Sequence, residues 1–238
     1  MSNMVTATYS GESAKQVFDP NNDSYPKPYI IATSGAPLMV IGSGTVNSSG
    51  EFTLTTALPT TPQGIVNVYI YAGVGLAAGL YPATFTSTTQ CQLLGHPTTT
   101  AGAYAGGTTS VTLATIKIPG GAIGPNGKFR VEIIYTGTTN ANQKNISIVY
   151  AGSSILSNIF WSTYTNMAAR LFAEFFNKGF ESVNAYIPSL SYGQSSASPT
   201  YTSIDTSKTQ NLTFNCNVAT ATDSIMIEHY VIIVYPSV

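Results

Sequence analysis

The chain has 238 residues, 43% of them hydrophobic, enough for one large or two small domains with real cores and too many for a disordered tail. Only 8% are charged and the net charge is −1, so the dense positive field behind most nucleic-acid binding is missing. No apolar run reaches membrane-spanning length; neither nucleic acid nor membrane is expected as a partner.

With so few charges, against about 25% in ordinary soluble proteins, the polar surface must come from Thr, Ser, Asn and Gln. Neutral groups exchange water for protein hydrogen bonds at small net cost. Such a surface, with 15 Tyr, suits permanent packing against other subunits. The first 20 residues lack a basic region followed by an apolar core, so no signal peptide is expected and folding in a cytoplasm is. Cys91 and Cys216 are then expected to be reduced and buried. Sequons at Asn22, Asn47, Asn145 and Asn211 carry no weight without secretion.

In chain order, residues 1–28 are polar and broken by Pro20, Pro26 and Pro28, and read as an extended N-terminal arm. Short strands are expected at 29–33 and 37–44. A turn at 47–50 leads to a strand at 51–58, with Phe52 and Leu54 on one face and Thr53 and Thr55 on the other. Strands at 65–72, 81–90 and 111–118 continue the series. The Gly/Thr-rich stretch 96–109 is the expected boundary between a small β domain (29–105) and a second one (106–238).

Gly124-Pro125-Asn126-Gly127 is a natural chain reversal. Strands follow at 128–136, 146–151, 210–217 and 225–235. Many short strands with regular turn signals predict an all-β antiparallel sandwich, jelly roll or barrel. Residues 166–180 conflict with that pattern: Asn166 caps, Ala, Leu and Glu favour and Gly179 ends a helix, while the surroundings favour a strand closed by a turn at 177–179.

Several stretches imitate catalytic or cofactor motifs. Gly73, Gly75 and Gly79 after the strand at 65–72 imitate a dinucleotide loop, but Pro82 leaves no room for the helix and no acid lies between Glu51 and Glu132; a tight bend is expected. His229 with Asp223 or Glu228 imitates part of a hydrolase triad, without a nucleophile elbow, and reads instead as a strand residue beside a hydroxyl. The only other histidine, His96, stands in the connection, and neither His nor Cys is grouped as metal ligands are. No catalytic residue, metal or cofactor is assigned. Ten scattered acids keep a glycan-cleaving enzyme as a third reading.

Residues 43–60 and 66–90 resemble a β module of tailed-phage virion proteins. The likeness lies in the step Ala57-Leu58-Pro59 at the end of a strand, and in a Gly/Ala-rich bend running into Ala77-Ala78-Gly79-Leu80-Tyr81. Leu80 stands where that family usually has Trp. Residues 116–152 are similar to a second family stretch, in which Asn140, Ala141, Asn142, Gln143 and Lys144 fill an Asn-rich turn, Gln143 replacing an Asn. Residues 211–234 are similar in their strand, Ala-Thr-Ala-Thr-Asp and strand order.

The resemblance spans about 29–238 and implies a jelly-roll-like fold, a strand at 169–177, and a setting on the virion. It implies a non-enzymatic structural protein, preferably capsid decoration or a head fibre, since no shaft of repeats is present. The alternative is a tail fibre or receptor-binding adhesin recognising a host glycan. Partners would be other virion proteins, such as the major capsid or tail protein. With the low charge and Tyr content, it also implies a homotrimer. Any receptor contact is expected on the loop 190–199, through Tyr192 and Gln194, where an aromatic face can stack on a sugar and an amide can read its hydroxyls.

Overall fold

The computed structural model describes residues 6–9, 12–15, 27–95, 98–140, 142–161, 168–187 and 198–237. Every regular element among them is a strand. The first half carries β1 (Thr6–Tyr9), β2 (Glu12–Lys15), β3 (Tyr29–Thr33), β4 (Leu38–Val40), β5 (Gly44–Val46), β6 (Glu51–Leu54), β7 (Ile65–Ile70), β8 (Gly79–Phe85), β9 (Gln90–Leu93) and β10 (Gly102–Tyr104). The second carries β11 (Val111–Ile118), β12 (Lys128–Gly137), β13 (Gln143–Tyr150), β14 (Ser153–Trp161), β15 (Ala168–Asn177), β16 (Asn184–Tyr186), β17 (Thr200–Thr202), β18 (Gln210–Val218) and β19 (Ile225–Tyr235). The all-β expectation is met.

Two sheets face each other in the second half. One runs β11-β18-β13-β14; in the other, β3 and β4 pair with β19, which continues through β12 to β15. Each sheet interleaves strands distant in sequence, which is the winding of a jelly roll. Period-two alternation builds the core: β13 buries Lys144, Ile146, Ile148 and Tyr150, and β15 buries Leu171, Ala173 and Phe175. Between the sheets Phe129 stacks on Phe175 at 5.3 Å, Tyr150 meets Phe175 edge-on at 4.8 Å, and Phe214 meets Tyr230 at 4.7 Å. Offset and edge-to-face contacts of this kind add to the area buried.

The segment 168–177 is a strand. It pairs with β12 from Lys128↔Phe176 to Thr136↔Ala168. Local helix propensity loses because the strand pattern puts Leu171, Ala173 and Phe175 in the core and Arg170, Phe172 and Glu174 on the outer face, a division that a helix cannot make.

Strands β5 to β10 form a module inserted between β4 and β11. It continues the large sheet, because β4 also pairs with β7, in parallel. The sequence reading places residues 29–33 with the first β domain; the backbone pairs them with β19. Strand β4 serves both halves. Leu38 and Val40 enter the roll's core, while Met39 enters a second core with Ile41, Phe52, Val68 and Tyr104. Met226 of β19 joins that second core, whereas Ile225 and Ile227 face the first. The stretch expected as a connection carries β10, which pairs with β5. Within the expected arm, β1 and β2 pair with each other as an antiparallel ribbon, Thr6 opposite Lys15; most of its remaining residues lie outside the described ones.

Candidate functional site

Where the module meets the roll, a polar network lies inside the protein. Alternation along β13 puts Lys144 on the same face as Ile146 and Ile148, so its side chain points inward with no exposed surface. Asp223, in the turn between β18 and β19, is equally buried, as are Thr138 and Ser224. Lys144 Nζ donates to Asn140 Oδ1 at 2.8 Å and to the Asn142 carbonyl at 3.1 Å, and stands 3.9 Å from Asp223 Oδ2. Asn140 Nδ2 donates to Asp223 Oδ1 at 2.5 Å, which also accepts from Thr138 Oγ1 at 3.2 Å. Asp223 Oδ2 has no hydrogen-bond partner. Burial pushes the Lys144 ammonium below its ordinary 10.5, and the nearby Asp223 draws it part of the way back.

The same turn grips the module. Gly42 N donates to Ser224 Oγ at 2.8 Å, and Ser43 N and Oγ both donate to the Ala221 carbonyl, at 2.7 and 3.0 Å. Gly106 N, at the module's exit, donates to Ser43 Oγ at 3.0 Å. A Cβ at Gly42 would fall 2.5 Å from the Thr222 carbonyl oxygen, and one at Gly106 would fall 2.3 Å from that of Ala221, so both positions require glycine. Asn140, Lys144 and Asp223 all fall inside the resembled motifs, but from sequence the first two read only as turn residues and Asp223 only as a discarded triad acid. The available signal was a lysine standing in phase with the core residues of a strand.

Of the sequence-predicted site residues, Tyr192, Gln194 and His96 lie outside the described residues. His229 is exposed, and its Nδ1 lies 2.9 Å from Ser34 Oγ, the hydroxyl neighbour expected of it. That serine also accepts from Tyr230 N at 3.1 Å. Neither suggested acid completes a triad. Glu228 accepts from Thr136 Oγ1 at 2.7 Å. Asp223 is fully buried and bonded to Asn140 and Thr138, whereas His229 is exposed. Gly73 and Gly75 form the bend between β7 and β8, closed by reciprocal bonds between Gly73 and Leu76, and strand β8 stands where a nucleotide fold would start a helix. Both cysteines are buried thiols. Among the described residues, no three His, Cys, Asp or Glu side chains gather as metal ligands would.

Three surface features remain. The outer face of β12 and β15 concentrates charge in a chain that has little: Lys128 pairs with Glu174 at 2.8 Å, and Glu132 bridges Arg130 and Arg170. Arg130 lies over the Phe172 ring and Lys128 over Tyr235, while Ile134 beside them is exposed. Elsewhere a cleft of about 450 Å³ opens between Leu80, Asn67, Leu113 and Tyr230; the residue standing where the resembled family has Trp is on its wall. Finally, Phe180 and Tyr201 are 69% and 64% exposed, with Lys178 4.9 Å above the Tyr201 ring.

No protein-family model and no curated protein matches the chain. Among solved structures, an insecticidal delta-endotoxin from Bacillus thuringiensis aligns over 53% of this chain and 18% of its own, at 12% identity and a TM-score of 0.29. Dimeric latent PorU from Porphyromonas gingivalis aligns over 84% and 22%, at 12% identity and a TM-score of 0.31. This chain thus spans about a fifth of the length of either. The structure of infectious bursal disease virus, Gx strain, aligns over 99% and 74%, at 10% identity and a TM-score of 0.21. All three TM-scores lie well below 0.5, and these likenesses carry no functional argument.

Proposed function

We propose that this chain is a non-enzymatic structural protein on the outer surface of a tailed-phage particle, decorating the capsid or forming a head fibre, and that it works as a homotrimer. One observation carries the reading: Asn140 and Lys144 from one segment that resembles the virion family, and Ala221 and Asp223 from another, converge in the buried network that fastens module to roll. Their most distinctive polar groups are thus spent on the scaffold rather than presented to a substrate. The ion-paired outer face of β12 and β15, with Ile134 and Phe172 among the charges, is the surface we assign to contact with a second copy. Paired charges are already partly desolvated there and lose less on burial than lone ones.

The test is to find the protein in purified particles and place it in a density map of them. Particles lacking it should adsorb normally yet open at lower temperature. Normal heat resistance with lost adsorption would favour the second reading, a receptor-binding adhesin. That reading draws on exposed Phe180 and Tyr201, since Tyr201 stands in the strand that follows the loop 190–199. Release of reducing ends from host polysaccharide by the purified protein would overturn both.

A further inference from the structure

We propose that Lys144 and Asn140 become joined by an intramolecular isopeptide bond, Nζ to Cγ, with Asp223 carrying the protons and ammonia leaving. The inference goes beyond the proposed function and does not depend on it. Four groups are placed as such a reaction needs them. The nucleophile is a fully buried amine that touches the Asn140 carboxamide oxygen at 2.8 Å. That oxygen also accepts from Asn142 N–H at 3.0 Å, a backbone donor aimed where negative charge would develop. The leaving nitrogen, Asn140 Nδ2, donates to Asp223 Oδ1. The second oxygen of that carboxylate has no hydrogen-bond partner and faces Lys144 Nζ at 3.9 Å. The orientation of the Asn140 amide follows from its neighbours: only its oxygen can accept from an ammonium, and only its nitrogen can donate to a carboxylate.

The step balances without any further reagent. Asp223 Oδ2 takes a proton from Lys144, leaving a neutral amine and a neutral acid. Burial lowers the affinity of Lys144 for its proton, which eases formation of the neutral amine. Rotation about the last bonds of Lys144 carries Nζ from the carboxamide oxygen to its carbon. The Nζ–Cγ bond forms, the oxygen takes the negative charge against Asn142 N–H, and the remaining excess proton on Nζ passes to Asp223 as Asp223 gives its own to Nδ2. The Cγ–Nδ2 bond breaks and ammonia departs; the proton first taken from Lys144 stays on Asp223 until ammonia carries it off as ammonium, which returns Asp223 to its carboxylate form. Holding the partners in contact inside a site without solvent replaces a slow bimolecular aminolysis by a unimolecular one. The product ties Asn140 to the start of β13 at the junction of module and roll.

The experiment is intact-mass measurement of the full-length folded protein, followed by denaturation and trypsin digestion. The expected mass is that of the sequence less one ammonia. Trypsin does not cut after an acylated lysine, so residues 131–144 and 145–170 should appear as one peptide, 131–170, lacking one ammonia. Asn140→Ala and Asp223→Asn should each restore the full mass and cleavage after Lys144. Three results would overturn the proposal: a full wild-type mass after prolonged incubation; ammonia loss with normal cleavage after Lys144, which is succinimide formation; or loss of water with Lys144 joined to the peptide holding Asp223.

Discussion

Phe175 and Phe172 stand three residues apart and test the strand assignment of 168–177 directly. Phe175 is fully buried between Phe129, Tyr150 and Tyr186. Truncating it removes a whole buried ring and leaves a cavity, so Phe175→Ala should cost about 4 kcal/mol. Phe172 lies half-buried on the outer face beneath Arg130; Phe172→Ala loses part of a ring's burial and a cation–π contact, about 1–1.5 kcal/mol. Urea unfolding followed by far-ultraviolet circular dichroism reads both. With a slope of about 3 kcal/mol/M, the midpoint should fall by about 1.3 M for Phe175→Ala and by about 0.4 M for Phe172→Ala. A helix would put residues three apart on one face and make the two losses alike. Equal midpoints for the two variants would falsify the strand assignment.

Further expectations rest on single groups. Burial raises the Cys91 thiol from its ordinary 9.0 to about 12; a raised acid contributes stability that is complete below pH 9 and lost as pH climbs toward 12. Thermal unfolding of Cys91→Ala, measured from pH 8 to 11, should therefore decline less steeply than that of the parent; parallel slopes would refute the assignment. Gly106→Ala drives a methyl toward the Ala221 carbonyl and should cost about 1–3 kcal/mol. Gly79→Ala, whose nearest neighbour would be Tyr81 at 3.8 Å, should stay within about 0.5 kcal/mol. Calorimetry of the pair reverses the argument if Gly106 proves the more tolerant.

Much of the strand pattern was legible because it was periodic. The stretches 111–118 and 225–235 hold enough alternating residues to announce themselves, and the structure keeps both as β11 and β19. Strands β5, β10, β16 and β17 have three residues each, too few for a period of two to emerge, and they exist because a longer neighbour offers them hydrogen bonds. Pairings between remote segments left no local trace. Nothing near Tyr29–Thr33 says that its partner is Val231 and Ile232. The network was half legible: the core phase of Lys144 is written in β13, but the identity of its partners depends on where the turn after β18 lands.

The insertion topology allows one larger perturbation. The module's entry and exit touch: Gly106 N bonds Ser43 Oγ, and a Cβ on Gly106 would lie 2.8 Å from Ser43 N. Removing residues 44–105 and joining Ser43 to Gly106 through one or two glycines therefore needs no displacement of the roll. The roll keeps its own core, including Phe129, Phe175, Phe214 and Tyr230. It loses the packing of Tyr69 and Tyr71 against that core. It also gains an exposed edge only three residues long at β4, short enough to resist edge-to-edge association. Met39, Ile41 and Met226 lose their module partners, so the excised chain should carry Thr at these three positions to keep the new surface polar. We expect a soluble β protein with a cooperative thermal transition, less stable than the parent. The converse fragment, residues 38–106 alone, lacks the β19 strand against which β4 is laid and should not unfold cooperatively. An excised roll that binds hydrophobic dye and melts without a transition would mean that the module is part of the folding unit rather than an addition to it.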